Sequence, residues 1–285
     1  QRDGELAFLQ IHEVLAAVVP SDREHEYCAF APHQHVFESK LVDTCKRLGT
    51  DRHDMAALAI WGDYAQYHTR DSIWMLVWSL VTGPSNTRYW LCSFSKRECC
   101  KCGCRAQCTF ETVFEVVAWN LQVLLTGRYP HTRHDGIQFK DSQFPGDDIR
   151  AKLAGQRLPM RAAIQQLCGD WQWMKCALGL TGWKYGPTGQ CCFSCRANCD
   201  NFPWADPSLG ARWRKTMLVA SSFNAHVLMG APCFGVWSWP RLDVSMLEWD
   251  WMHTADLGVT VATLGNVYWE LLSSWVGLSV LATSK

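Results

Sequence analysis

The chain has 285 residues, enough for one large domain with an insertion or for two smaller ones. With 48% hydrophobic and 19% charged residues, 16 Trp and 12 Phe, it is too apolar and aromatic for a disordered polypeptide. Lys+Arg and Asp+Glu balance at 27 each, so net charge gives no overall attraction to nucleic acid.

The first 54 residues read as a helical lead-in, with an apolar patch from Leu6 to Val19. From Met55 a continuous apolar run stops at Gly62-Asp63, the pattern of a buried strand that delivers an acid at its end. Ser72 to Leu80 and Thr87 to Phe94 are rich in Trp, Val, Ile and Tyr, and Thr82 to Asn86 between them is turn chemistry; together with the first run they predict a three-strand meander.

Fifteen cysteines is an odd number, and their clustering says more than the count. Cys99, Cys100, Cys102, Cys104 and Cys108 lie within ten residues, too tightly spaced for most disulfides but natural for thiolate ligands of zinc. Cys104 and Cys108, one helical turn apart, are expected to join Cys100 or Cys102 across the loop, with Arg97 and Arg105 nearby to favour thiolate. A transient disulfide or a cysteine-rich hairpin is the competing reading.

Thr109 to Leu125 places Phe110, Val113, Phe114, Val117, Leu121, Leu124 and Leu125 at helical spacing and stops before Gly127 and Pro130, the clearest helix of the chain. Residues 128–157 read as a long polar surface loop. Within it Arg128, His131, Arg133 and His134 are candidates for phosphate contacts, Asp135 for a metal ligand; the competing reading is a polar turn shaped by Pro130 and Gly136. The basic runs at Lys96-Arg97 and Arg212 to Lys215 read as solvated faces.

Met160 to Cys168 predicts a further strand that ends at Gly169-Asp170, with a helix from Trp171 to Leu178 for which Asp170 is placed as N-cap. Four more cysteines fall between Cys191 and Cys199. Cys192 and Cys195, in Cys-x-x-Cys spacing, can supply half of a tetrahedral zinc site, with His253 expected as a third ligand and Cys199, Cys191 or Asp250 as the fourth; the competing reading is a reduced surface turn and an unrelated histidine. Leu257 to Leu281 is the most apolar stretch, but Asn266 and Glu270 interrupt it, which suits a buried helix pair better than a membrane span. With no signal-like start and no uninterrupted run of membrane-spanning length, the chain is expected to be intracellular, soluble and trimmed from a longer protein, and a secreted cysteine-rich protein is disfavoured.

Several blocks resemble, in order, those of DDE-type transposases of the CACTA-like superfamily: Trp61-Gly62-Asp63, Leu167-Cys168-Gly169-Asp170, Cys192-Phe193-Ser194-Cys195 and Asp250-Trp251-Met252-His253. The blocks 102–105, 134–136 and 169–171 are similar to transposon-derived proteins of the kind abundant in dinoflagellate genomes. The resemblance spans about Met55 to Leu272 through spaced motifs, not continuous identity.

It implies an α/β fold with an RNase H-like core at residues 55–190, elements ordered βββαβ, interrupted by the cysteine-rich loop 92–108 and followed at 191–285 by the Cys-x-x-Cys segment and a truncated helical insertion. It further implies that Asp63 and Asp170 hold Mg²⁺ or Mn²⁺ for two-metal DNA cleavage and strand transfer. The third carboxylate is Glu270 or lies beyond Lys285. Structural Zn²⁺, a nuclear location, transposon-end DNA as partner and homo-oligomeric assembly as an option complete the expectation, with no membrane partner. The alternative is a catalytically inactive, zinc-stabilised protein of the same descent that binds DNA or protein.

Overall fold

The computed structural model describes residues 6–31, 37–69, 71–84, 87–104, 106–141, 144–180, 195–198, 201–203, 208–217 and 244–248, with the single residues 206, 242, 264, 265, 267 and 270. The chain divides into two compact units, Gln1–Glu248 and Trp249–Lys285. Leu264, Gly265, Val267 and Glu270 are exposed helical positions of the second unit. The fold below is that of the first.

Three helices lead in: α1 (Ile11–Val18), α2 (Glu24–Cys28) and α3 (Glu38–Leu48). Then come β1 (Met55–His68), β2 (Asp71–Leu80), β3 (Tyr89–Ser95), α4 (Gln107–Thr126), α5 (Asp147–Leu153), β4 (Arg161–Gly169) and α6 (Trp171–Ala177). The four strands form one mixed sheet in the order β3-β2-β1-β4. β1 is antiparallel to β2 and β2 to β3, while β4 runs parallel to β1. Such a parallel return needs a crossover, and α4 supplies it.

β1 and β4 lie where both faces of the sheet are covered, which is why Met55 to Ile60 read as an unbroken apolar run. Ala56, Leu58 and Ile60 join the core that contains α1, α4 and α6 residues; Met55, Ala57 and Ala59 join a second core with Leu41 and Cys45 of α3. α4 is the one described helix long and apolar enough to cross a membrane. Its Phe110, Val113, Phe114, Val117, Leu121 and Leu124 are packed into the first core, at roughly 1.5–3 kcal/mol of burial each. Gly127, at φ +67°, ends the helix in the left-handed conformation that a side chain resists.

Two sequence expectations are corrected. β1 does not stop at Asp63 but continues to His68, because β2 pairs with it from Leu58 to His68; what ends after Gly62 is the pairing with β4. The stretch 128–157 is not a bare loop: α5 lies within it, tied back by Arg150, which pairs with Asp147 and with Glu13 of α1. The polar composition that suggests a loop is the composition of a short helix whose ion pairs secure it. Leu257 to Leu281 falls almost wholly outside the described residues.

Candidate functional site

The turn between β3 and α4 gathers four thiols. Cys100 Sγ is 3.0 Å from Cys104 Sγ and 3.8 Å from Cys102 Sγ; Cys108 Sγ is 3.4 Å from Cys104 Sγ and 3.7 Å from Cys102 Sγ. All four sulfurs lie within 4.8 Å of one another, a group that could bind a metal such as zinc. Zinc–sulfur bonds of about 2.3 Å at tetrahedral angles set sulfur–sulfur edges of about 3.8 Å, which these separations approach.

The backbone explains the convergence. Gly103 (φ +95°) and Ala106 (φ +72°) reverse the chain, and a non-glycine residue in that region costs roughly 1 kcal/mol. The Cys100 amide donates to Thr109 Oγ1 at 2.9 Å, and the Cys108 amide donates to Cys104 Sγ at 3.4 Å. The hydrogen bond with Cys100 and the amide of Cys108 hold the Cys104 thiol below its ordinary range; its neighbour Cys108, against those sulfurs, is pushed up to about 12.

The fifth thiol of the run is outside this group. Cys99 is buried and donates to the Ser95 carbonyl, and burial pushes it up to about 11. Arg97, expected to favour thiolate, instead pairs with the buried Asp71 at 3.0 Å. Arg105 lies outside the described residues.

Two Gly-Asp dipeptides meet at the same end of the sheet. Gly62 of β1 pairs with Gly169 of β4, and Asp63 and Asp170 each follow by one residue on strands spaced about 4.8 Å apart. The glycines are required by Trp173 of α6. A Cβ at Gly62 would fall 1.8 Å from its indole and one at Gly169 2.7 Å. Asp63 is exposed, with Oδ1 accepting its neighbour Tyr64's amide at 2.8 Å. Asp170 caps α6, Oδ1 accepting the Trp173 amide at 2.6 Å.

A third acid at this edge has no motif in the sequence to announce it. Leu247 forms a parallel bridge with Leu167 and the Glu248 amide donates to the Leu167 carbonyl at 3.0 Å, which seats Glu248 outside β4. Burial pushes its carboxyl up, with Lys40 4.0 Å away opposing, and its charge acts on Cys168. Of the acid expected in the third position, Glu270, the structure describes an exposed helical residue of the second unit.

The basic candidates sit elsewhere. α4 starts beside the C-terminal end of the sheet, its Gln107 donating to the Cys176 carbonyl of α6 at 2.6 Å, and over 20 residues carries the chain about 30 Å to the other end. There Arg128 donates to the Gly155 carbonyl at 2.9 Å and lines a cavity of about 350 Å³ with Arg157, Arg161, Asp51 and Asp54. Arg133 pairs with Asp135 at 3.2 Å and lies over the Phe144 ring, so Asp135 serves an ion pair. His131 is exposed against Gly155, and His134 stands edge-on to Trp119. The structure therefore does not bring Arg128, His131, Arg133 and His134 to the acids. Of the second thiol group, Cys195 is buried, while Cys191, Cys192, Cys199, Asp250 and His253 lie outside the described residues. Compared with protein-family models, with curated proteins and with solved structures, the chain gives no match.

Proposed function

We propose that the first unit is an RNase H-like core of the DDE-transposase kind, cutting and joining DNA at the edge formed by Asp63 and Asp170. The observation that carries this reading is the register Gly62↔Gly169 between parallel β1 and β4, which sets one acid directly after each glycine. The order β3-β2-β1-β4, with α4 as crossover, agrees with it, and the bridge of Leu247 to Leu167 adds a parallel fifth position outside β4. Ligands in open α/β sheets bind beyond the carboxyl ends of parallel strands; Asp170 lies there, just past β4, and Asp63 stands one residue past the last β1–β4 pair, where β1 runs on beside β2.

Asp63 and Asp170 supply hard carboxylate oxygens suited to Mg²⁺ or Mn²⁺, and Asp63 is exposed enough to offer its own. A pair of such ions, when bound, would activate the attacking oxygen and stabilise the leaving one in phosphodiester cleavage. Asp170 holds its position through the α6 cap, and Glu248, kept from ready ionisation by burial, is the third carboxyl at that edge. Transposon-end DNA, a nuclear site of action and homo-oligomeric assembly belong to this proposal.

The test uses Asn in place of each Asp. Asn caps a helix as well as Asp does, so Asp170→Asn removes the charge and keeps the cap. Both Asp63→Asn and Asp170→Asn are expected to abolish Mn²⁺-dependent nicking of duplex DNA with unchanged circular dichroism. Undiminished nicking by Asp170→Asn would falsify the assignment. A wild-type chain that binds duplex DNA yet never cuts it would favour the inactive, zinc-stabilised binding protein, the reading to which the four-thiol cluster also lends itself.

A further inference from the structure

We infer that Cys100, Cys102, Cys104 and Cys108 bind a single Zn²⁺ as a closed tetrathiolate, and that this ion clasps the end of β3 to the first turn of α4. Thiolates are soft ligands, and a tetrahedral set of four selects zinc or iron over the hard ions that carboxylates hold. The four sulfurs come from nine residues, in the spacing Cys-x-Cys-x-Cys-x-x-x-Cys; four of their six edges measure 3.0–3.8 Å, and all six lie within 4.8 Å. Four protein ligands leave no open position for water or substrate, so the site is structural.

Binding replaces four thiol protons, which leave to solvent, by one dication, and the site then carries a net charge of −2. The first turn of α4, whose free amides form the positive end of the helix dipole, faces that charge from Cys108, and the exposed Lys101 lies in the loop itself. The neighbouring Cys99 is turned the other way, its thiol on the Ser95 carbonyl. The same first turn holds Gln107, which reaches the Cys176 carbonyl of α6. Closing the clasp therefore fixes the start of α4, and through Gln107 the helix that Asp170 caps. The clasp stands on sulfur geometry alone, whatever the acids do.

Residue-resolved alkylation of the unmutated protein provides the first test. With zinc bound, Cys100, Cys102, Cys104 and Cys108 should react with N-ethylmaleimide at least tenfold more slowly than after removal of zinc by a strong chelator, although Cys102 and Cys108 are exposed. The second test is metal content. The variant Cys102→Ser/Cys108→Ser should hold one equivalent of zinc fewer than wild type, and Cys176→Ser, at a partly exposed thiol outside the cluster, should hold the same. Rapid alkylation of the four thiols in zinc-replete protein, equal zinc in the double variant and wild type, or iron in place of that equivalent would each overturn the inference, as would disulfides among the four in freshly isolated protein. Should the double variant fail to fold, the alkylation result decides.

Discussion

Trp173 shows how one side chain dictates residues far away in sequence. Its ring is fully buried over Gly62 and Gly169, so two strands 107 residues apart carry glycine at the same level. Gly62→Ala drives a methyl into the indole; overpacking of this kind costs typically 1–3 kcal/mol, and the 1.8 Å approach puts this case at or above the upper end. Trp173→Leu opens room at a cost of about 3 kcal/mol from the lost ring. The two changes share one space, so the double variant should be less destabilised than the sum of the singles by at least about 1 kcal/mol. Urea denaturation of the four proteins measures this, and strict additivity would show that the glycine and the ring do not compete. The consequence reaches the candidate site, because the aspartates follow the glycines directly.

At the scale of elements, α1 is fastened to α4 by one buried amide. Asn120 Oδ1 accepts the Ile11 amide at 3.0 Å and faces His12 Nδ1 at 2.9 Å, while its Nδ2 donates to Gln10 Oε1 and the Val116 carbonyl. With Nδ2 donating twice, Oδ1 must accept, so Nδ1 of His12 carries a proton in the neutral ring. Burial lowers the His12 pKa from 6.5, Asn120 opposing. The unfolded chain therefore takes up this proton first as the pH falls. The contribution of His12 to stability is complete above 6.5 and is lost below it, at up to about 1.4 kcal/mol per pH unit. Urea midpoints between pH 8 and 5.5 should fall more steeply for wild type than for His12→Gln, and parallel curves would refute the assignment. This fastening is not legible in the sequence, since nothing local relates His12 to Asn120. What is legible follows from periodicity and punctuation: the starts of the strands at Met55, Ser72 and Met160, the α4 helix closed by Gly127, and the Asp170 cap agree with the structure to within two residues, whereas the end of the first strand does not. The cluster of thiols from Cys100 to Cys108 is readable from spacing, whereas the exclusion of Cys99 and the diversion of Arg97 to Asp71 depend on burial that spacing does not encode, and Cys92 belongs to β3.

Over the first unit as a whole, the chemistry-bearing groups divide between the two ends of the sheet. Asp63 and Asp170 stand just past the last pair of β1 with β4, toward the C-terminal ends of those strands, and the thiol cluster follows β3 on that same side, because Ser95 pairs with Ile73 opposite Ala65. Arg128, Arg157 and Arg161 line the cavity at the other end, about 30 Å away along α4. A phosphate held at the acids is therefore out of reach of Arg128 and Arg133, and both guanidinium groups already have protein partners, Arg133 with only 17% of its side chain exposed. Each phosphate contact contributes close to one unit to the slope of log affinity against log salt concentration. If these arginines do not hold the DNA, Arg133→Ala and Arg128→Ala leave that slope unchanged to within half a unit. Binding of duplex DNA measured by fluorescence anisotropy from 50 to 200 mM salt supplies the comparison. A slope shallower by about one unit in either variant would move the nucleic-acid surface to the far end of the sheet, away from the acids, and would separate DNA binding from the edge where cleavage is proposed.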